Sequence, residues 1–204
     1  MITTTQCSTH LLGTSVGGEH VRLTVELIPR GSWGANLRSL LPKSMWDRLR
    51  KWSYEQANNE CELCGETGLS QNRKHRVECH EIWEYDDNPD ASDVSGNRLQ
   101  ILRGLQSLCP YCHACKHMGL SISRGGGYRA LKHFMKVNEC TPEEAQTYIN
   151  HAFAVHAHRS IGLGWDLDLT YLRDHPALTE RDQKKLAEII QNNEGVYMGP
   201  EHRI

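Results

Sequence analysis

The chain has 204 residues, 38% of them hydrophobic and 24% charged, with a net charge of −2. That composition supports a packed core and excludes wholesale disorder, and no apolar run approaches the roughly 18 residues of a membrane span. The N-terminus has neither the basic nor the apolar stretch of a signal peptide, so the expectation is a soluble, cytoplasmic protein with no membrane partner. The near-neutral total hides an asymmetry. Residues 1–138 hold 17 Lys and Arg against 14 Asp and Glu, whereas residues 139–204 hold 6 against 11. The body can therefore meet phosphates locally, and the acidic last third could meet a protein partner.

In chain order, Val21, Leu23, Val25 and Leu27 alternate at the period of a half-buried strand, which Pro29 ends. Ser44, with Asp47 three residues on, predicts a helix from there to about Asn58. It carries Arg48, Arg50 and Lys51, either as a solvated basic face or as contacts to a nucleic-acid backbone. A basic stretch, Arg73-Lys74-His75-Arg76, leads into Val77–Tyr85, and Asp86–Asn97 has the composition of a loop. Arg98–Leu108 reads as a strand interrupted at Gly104, and Pro110 opens a helix.

Gly125–Gly127 reads as a hinge, beyond which the chain is mainly helical. Thr141 with Glu144 predicts a capped helix whose apolar stripe is Ala145, Tyr148, Ile149, Ala152 and Phe153. Trp165–Tyr171 alternates like a short strand or docked segment, and a last helix runs from the Thr179 cap to about Asn193. The boundaries that follow are an N-terminal strand and helix over 1–58, a metal-bearing unit over 59–124 and a helical region over 125–204.

Eight cysteines in a reducing compartment point to metal rather than disulfides. Cys61-x2-Cys64 and Cys109-x2-Cys112 stand 44 residues apart. Each pair can fold as a knuckle presenting two thiolates, and two knuckles close the four-sulfur shell that structural zinc prefers. Gly65 suits the turn after the first pair. Cys7, Cys115 and Cys140 read as inert thiols.

Glu78-Cys79-His80-Glu81, followed by Gly104–Leu108 and Cys109-Pro110-Tyr111-Cys112-His113-Ala114-Cys115-Lys116-His117, resembles the HNH (His-Me finger) endonuclease signature. The resemblance covers about residues 61–119; more loosely, Trp33–Arg38 and the C-terminal helices resemble the flanks of bacterial and phage HNH proteins. It implies an α+β protein: a zinc-stabilised ββα-metal finger with flanking helices and a mainly helical C-terminal region. It implies His80 as the general base, and His113 with His117 as ligands of a catalytic ion. Cys79, in the place before the base, becomes a third ligand, with Glu78 or Glu81 as oxygen alternatives. A sulfur and nitrogen set would favour Ni2+, Mn2+ or Co2+ over Mg2+. Lys116, Arg48, Lys51, Arg73, Lys74 and Arg76 are the candidate nucleic-acid contacts.

Two positions depart from the pattern: Gly104 stands where the family has its central Asn, and Cys79 where it has Asp or His. Asn97 is the candidate to orient the His80 ring instead. The expected function is a metal-dependent endonuclease acting on nucleic acid, DNA in preference to RNA. The alternatives are a catalytically impaired, zinc-stabilised nucleic-acid-binding module and an interaction protein in phage–host conflict.

Overall fold

The computed structural model describes residues 15–16, 19–87, 98–161 and 164–198. Cys7, Asn97 and most of the loop expected before Arg98 lie outside them. Strands β1 (Ser15–Val16) and β2 (Glu19–His20) form a minimal antiparallel hairpin. The segment after it keeps the expected alternation, with Leu23 and Val25 buried, yet joins no strand. It is a strap pinned by other means. Asn138 brackets Leu23 through both its backbone N–H and its carbonyl, and the Glu26 N–H donates to the Lys116 carbonyl at 2.8 Å. Period-2 burial needs only an apolar bed beneath a chain, so it does not require a ladder.

Helix α1 (Leu37–Leu40) is capped by the Asn36 side chain. Helix α2 (Lys43–Gln56) starts behind Pro42 rather than at Ser44, and Asp47 is held by Lys43 and Arg50 instead of closing a capping box. Strands β3 (Glu78–Asp86) and β4 (Arg98–Leu108) form a long antiparallel ladder with a register shift between Ile82 and Trp83. Gly104 does not interrupt β4; it pairs with Ile82.

Helix α3 (Pro110–Lys116) follows at once, with Cys109 as its N-cap, and α4 (Met118–Ser123) comes after His117. Helices α5 (Gly127–Asn138) and α6 (Pro142–Arg159) follow, the latter opened by the Thr141/Glu144 capping box. Strand β5 (Trp165–Asp168) runs parallel to β4; after α7 (Glu180–Asn192), β6 (Val196–Tyr197) runs parallel to β5. Among the described residues the chain is thus α+β, with seven helices and a sheet ordered β3-β4-β5-β6.

Two apolar clusters hold these elements. In one, Leu37, Met45, Leu49, Leu102, Leu169, Leu172 and Leu186 bury together, so α7 and the β5 region close over α2 and β4. In the other, Cys61, Leu108, Cys109, Cys112 and Cys115 share a core with Phe134 and Val137 of α5 and with Ala145, Tyr148 and Ile149 of α6. The expected hinge is accordingly a packed turn. Gly125 has φ +75°, and a Cβ on Gly127 would lie 2.8 Å from the Ile122 side chain. Helices α5 and α6 thus complete the core around the cysteines, while β5 and α7 pack in the other cluster.

Candidate functional site

The four paired cysteines converge. Their sulfurs all lie within 4.8 Å of one another, a group that can hold a metal such as zinc. Cys64 Sγ is 3.6 Å from both Cys109 Sγ and Cys112 Sγ, and none of the four is in a disulfide. A tetrahedral ion with Zn–S bonds of ~2.3 Å needs S···S edges of ~3.8 Å, so the spacing fits. The first knuckle turns through Gly65, at φ +73°, and docks on β4 through Glu62, whose N–H donates to the Ser107 carbonyl while its carboxylate accepts from Ser107 N. Crowding pushes the Cys109 thiol far down, because Cys112 and then Cys61 and Cys64 hydrogen-bond to its sulfur. His133 of α5 stands with Nε2 3.2 Å from Cys112 Sγ.

A second group lies on the neighbouring surface of α3. His80 from β3, His113 from α3 and His117 just after it place one ring nitrogen each within 4.8 Å of the others. The ring centroids are 5.3, 5.1 and 4.8 Å apart, and His80 is only 4% exposed. Two carboxylates dictate which nitrogens are free. His80 Nε2 is 2.7 Å from Glu26 Oε2, and His113 Nδ1 is 2.6 Å from Glu78 Oε2. Burial alone would raise the Glu26 carboxyl, but its bond with His80 and the charge of Lys116 hold it down at about 2. The bond with His113 likewise keeps Glu78 below the usual range.

An ionised carboxylate only accepts, so the nitrogen facing it carries the hydrogen. In the neutral rings that leaves the lone pair on His80 Nδ1 and on His113 Nε2. Burial also pushes His80 down and, with the charges of His113 and His80, His117 down to about 3. Imidazoles oriented by carboxylates, as His80 and His113 are, suit a metal centre, and an ion takes them in the neutral form. Gln106, directly across the ladder from His80, has a buried side-chain oxygen without a hydrogen-bond partner. A water bound to an ion would supply the missing donor. The donor set and this orphaned oxygen fit a divalent ion.

Cys79, by contrast, is not among the converging groups. It neighbours His80 on a strand, so its side chain points to the opposite face. There its thiol bonds Ser53 of α2, and burial pushes it up to about 12. Cys79 therefore stands apart from the converging imidazoles, and His80 is the third member of their group in its place. Glu81 shares that far face, where it accepts from Leu37 N and Trp83 Nε1, so it too is turned from the site. Glu78 is on the near face but serves as a clamp.

Two expected phosphate contacts are also structural. Lys116 is 5% exposed, with Nζ bonded to Glu26 and to Thr24, and Arg48 is paired with Asp182 of α7. Lys51, Arg73, Lys74 and Arg76 remain exposed. An open groove of about 380 Å³ runs past His113 and His117, and Arg73, His75, Glu78 and Arg124 also line it.

Glu26, Gln106 and Arg124 escaped the sequence reading. Glu78 carried a readable signal, since positions two apart on a strand share a face with each other. Glu26 carried none, because it lies 54 residues from His80. Among the described residues no helix is long and apolar enough to cross a membrane. Compared with family models, curated proteins and solved structures, the chain gives no match.

Proposed function

We propose that this chain is a metal-dependent HNH-type endonuclease, hydrolysing phosphodiester bonds in nucleic acid, DNA in preference to RNA, on a zinc-stabilised ββα finger. The observation that carries the reading is the convergence of three imidazoles beside an open groove with arginines on its wall. The order strand, strand, helix, with two sulfurs at the helix start, agrees with it. In this reading Cys61, Cys64, Cys109 and Cys112 hold structural zinc. His80, His113 and His117 hold the catalytic ion, so His80 acts as a ligand and not as the base that the resemblance implies. A bound ion would supply Lewis acidity toward the scissile phosphate.

The chain's own groups do the rest. Glu26 and Glu78 keep the His80 and His113 lone pairs available. Arg73 and Arg124 meet the phosphate charge, which fixes the strand in the groove without reading its sequence. Buried Lys116 holds Glu26 in place and does not touch substrate.

The test is cleavage of supercoiled plasmid by the full chain with Mg2+, Mn2+, Co2+, Ni2+ or Zn2+. Imidazole ligands rank transition ions above Mg2+, so nicking or linearisation is expected with Mn2+, Co2+ or Ni2+ in preference to Mg2+. DNA retained in a gel shift, with no cleavage under any ion, would replace this reading with the binding module.

A further inference from the structure

We propose that His75 is the catalytic base, taking the proton of the attacking water at the groove wall. The inference rests on the phosphodiesterase reading above. Water attack needs a proton acceptor that reaches the groove, and the three converging imidazoles do not offer one. His80 is 4% exposed and its Nε2 is committed to Glu26, and His113 Nδ1 is committed to Glu78. In the reading above all three rings, His117 included, are engaged with the ion.

His75 is different. Its side chain is 50% exposed, it lies on the wall of the groove that His113 and His117 share, and it belongs to neither metal group. It is also held. His75 Nε2 is 2.7 Å from Glu78 Oε1, while the other oxygen of the same carboxylate holds His113 Nδ1 at 2.6 Å. One carboxylate therefore sets two imidazoles, one toward the cluster and one toward the groove. With one Glu78 oxygen on each ring, the bonded nitrogen of His75 is Nε2, and Nδ1 is the nitrogen left to take a proton. An imidazole in that tautomer, backed by a carboxylate, is suited to receive a proton and to have its new charge stabilised.

In the step itself the water oxygen bonds to phosphorus as the bond from phosphorus to the leaving alkoxide oxygen breaks. The water's proton goes to His75 Nδ1, and the leaving oxygen takes a proton from solvent. Afterwards His75 returns its proton to solvent, and no electrons change hands.

The experiment compares His75→Ala with the wild-type full chain, using whichever ion supports wild-type cleavage and saturating plasmid. Loss of a general base lowers the rate by ~10²–10⁴-fold. The expected result is a drop in kcat of that size, with metal content, circular dichroism and DNA affinity unchanged, and partial recovery on adding free imidazole. Glu78→Gln, which releases both rings, should lower the rate and weaken retention of the second ion as well. Wild-type cleavage by His75→Ala would overturn this inference alone. So would a rate loss accompanied by loss of metal and not rescued by imidazole, since that would make His75 a brace for Glu78. A wild-type chain inert with every ion would remove the endonuclease reading and this inference together.

Discussion

The sulfur cluster and the imidazole cluster share one short helix, yet they differ in almost every physical respect. Cys109 caps α3 and Cys112 lies in its first turn, whereas His113 lies in the middle and His117 just past its end. The sulfurs are walled in by Leu108, Met118, Phe134 and Val137, and each comes from a tight local turn. The imidazoles come from a strand, a helix and a helix end, are braced by carboxylates from elsewhere, and open on one side to the groove. In the proposed reading the closed site is bound up with folding and the open one with reactivity. They are also coupled in one direction. Whatever fixes the start of α3 fixes His113, because successive residues on a helix diverge by about 100°, so Cys112 can face the core while His113 faces the groove.

If that contrast holds, damage to the sulfur cluster should be the most severe. Cys112→Ser opens a shell whose binding energy is folding energy. The variant should lose its zinc and its cooperative thermal transition, read by metal analysis and circular dichroism. A Cys112→Ser protein that kept both would abolish the distinction between the clusters.

Nearly as large is the effect expected from ending the chain after Arg124. This removes Ala130, Phe134, Val137, Tyr148 and Ile149 from the core around the cysteines. Losing one buried aromatic side chain costs about 3–5 kcal/mol, against a total stability of about 5–15 kcal/mol. The truncated chain should be insoluble or zinc-free. Retention of one tightly held zinc would mean that residues 1–124 close the sulfur shell unaided.

His113→Ala should separate the clusters cleanly. The four-sulfur zinc and the fold should persist, while the second ion and plasmid cleavage are lost by at least the ~10²-fold typical of a removed catalytic group. Equal loss of both metals would show that the histidines, too, are needed for folding.

A smaller effect concerns acid. His117 is pushed down to about 3 by burial and its imidazole neighbours. An unfolded histidine takes up a proton near ~6.5, and the folded one refuses it. Stability from this source is therefore present above that pH and lost as pH falls from there toward 3. Without added divalent ion, His117→Gln should lose less stability than wild type over that window, measured by thermal melts at stepped pH. Parallel losses would show that His117 is not held neutral.

The smallest effect is expected at Cys79. Its thiol faces Ser53, not the histidines, so Cys79→Ala should leave the order of metal preference unaltered. Cys79→Asp should destabilise by burying a carboxylate without turning the preference toward Mg2+. A shift toward Mg2+ in that variant would put Cys79 back on the ion.

By itself the sequence determined the features that depend on a few neighbouring residues. Two CxxC knuckles, the helix opening at Pro110, the Thr141 capping box, the Thr179 cap and the pairing of His113 with His117 all follow from short-range geometry, and all are present. The alternation at Val21–Leu27 was legible as burial but not as its cause, because an apolar bed of helices and a sheet partner leave the same pattern. Only the tertiary structure decided which groups meet across long stretches of chain. It brought Glu26 to His80, buried Lys116 against that carboxylate, joined β5 to β4 in parallel and turned Cys79 away from the histidine beside it. Spacing encodes what lies within a turn or along a strand. Which face of β3 meets α2 and which meets α3 is set by the packing of elements distant in the chain, and no local pattern carries that information.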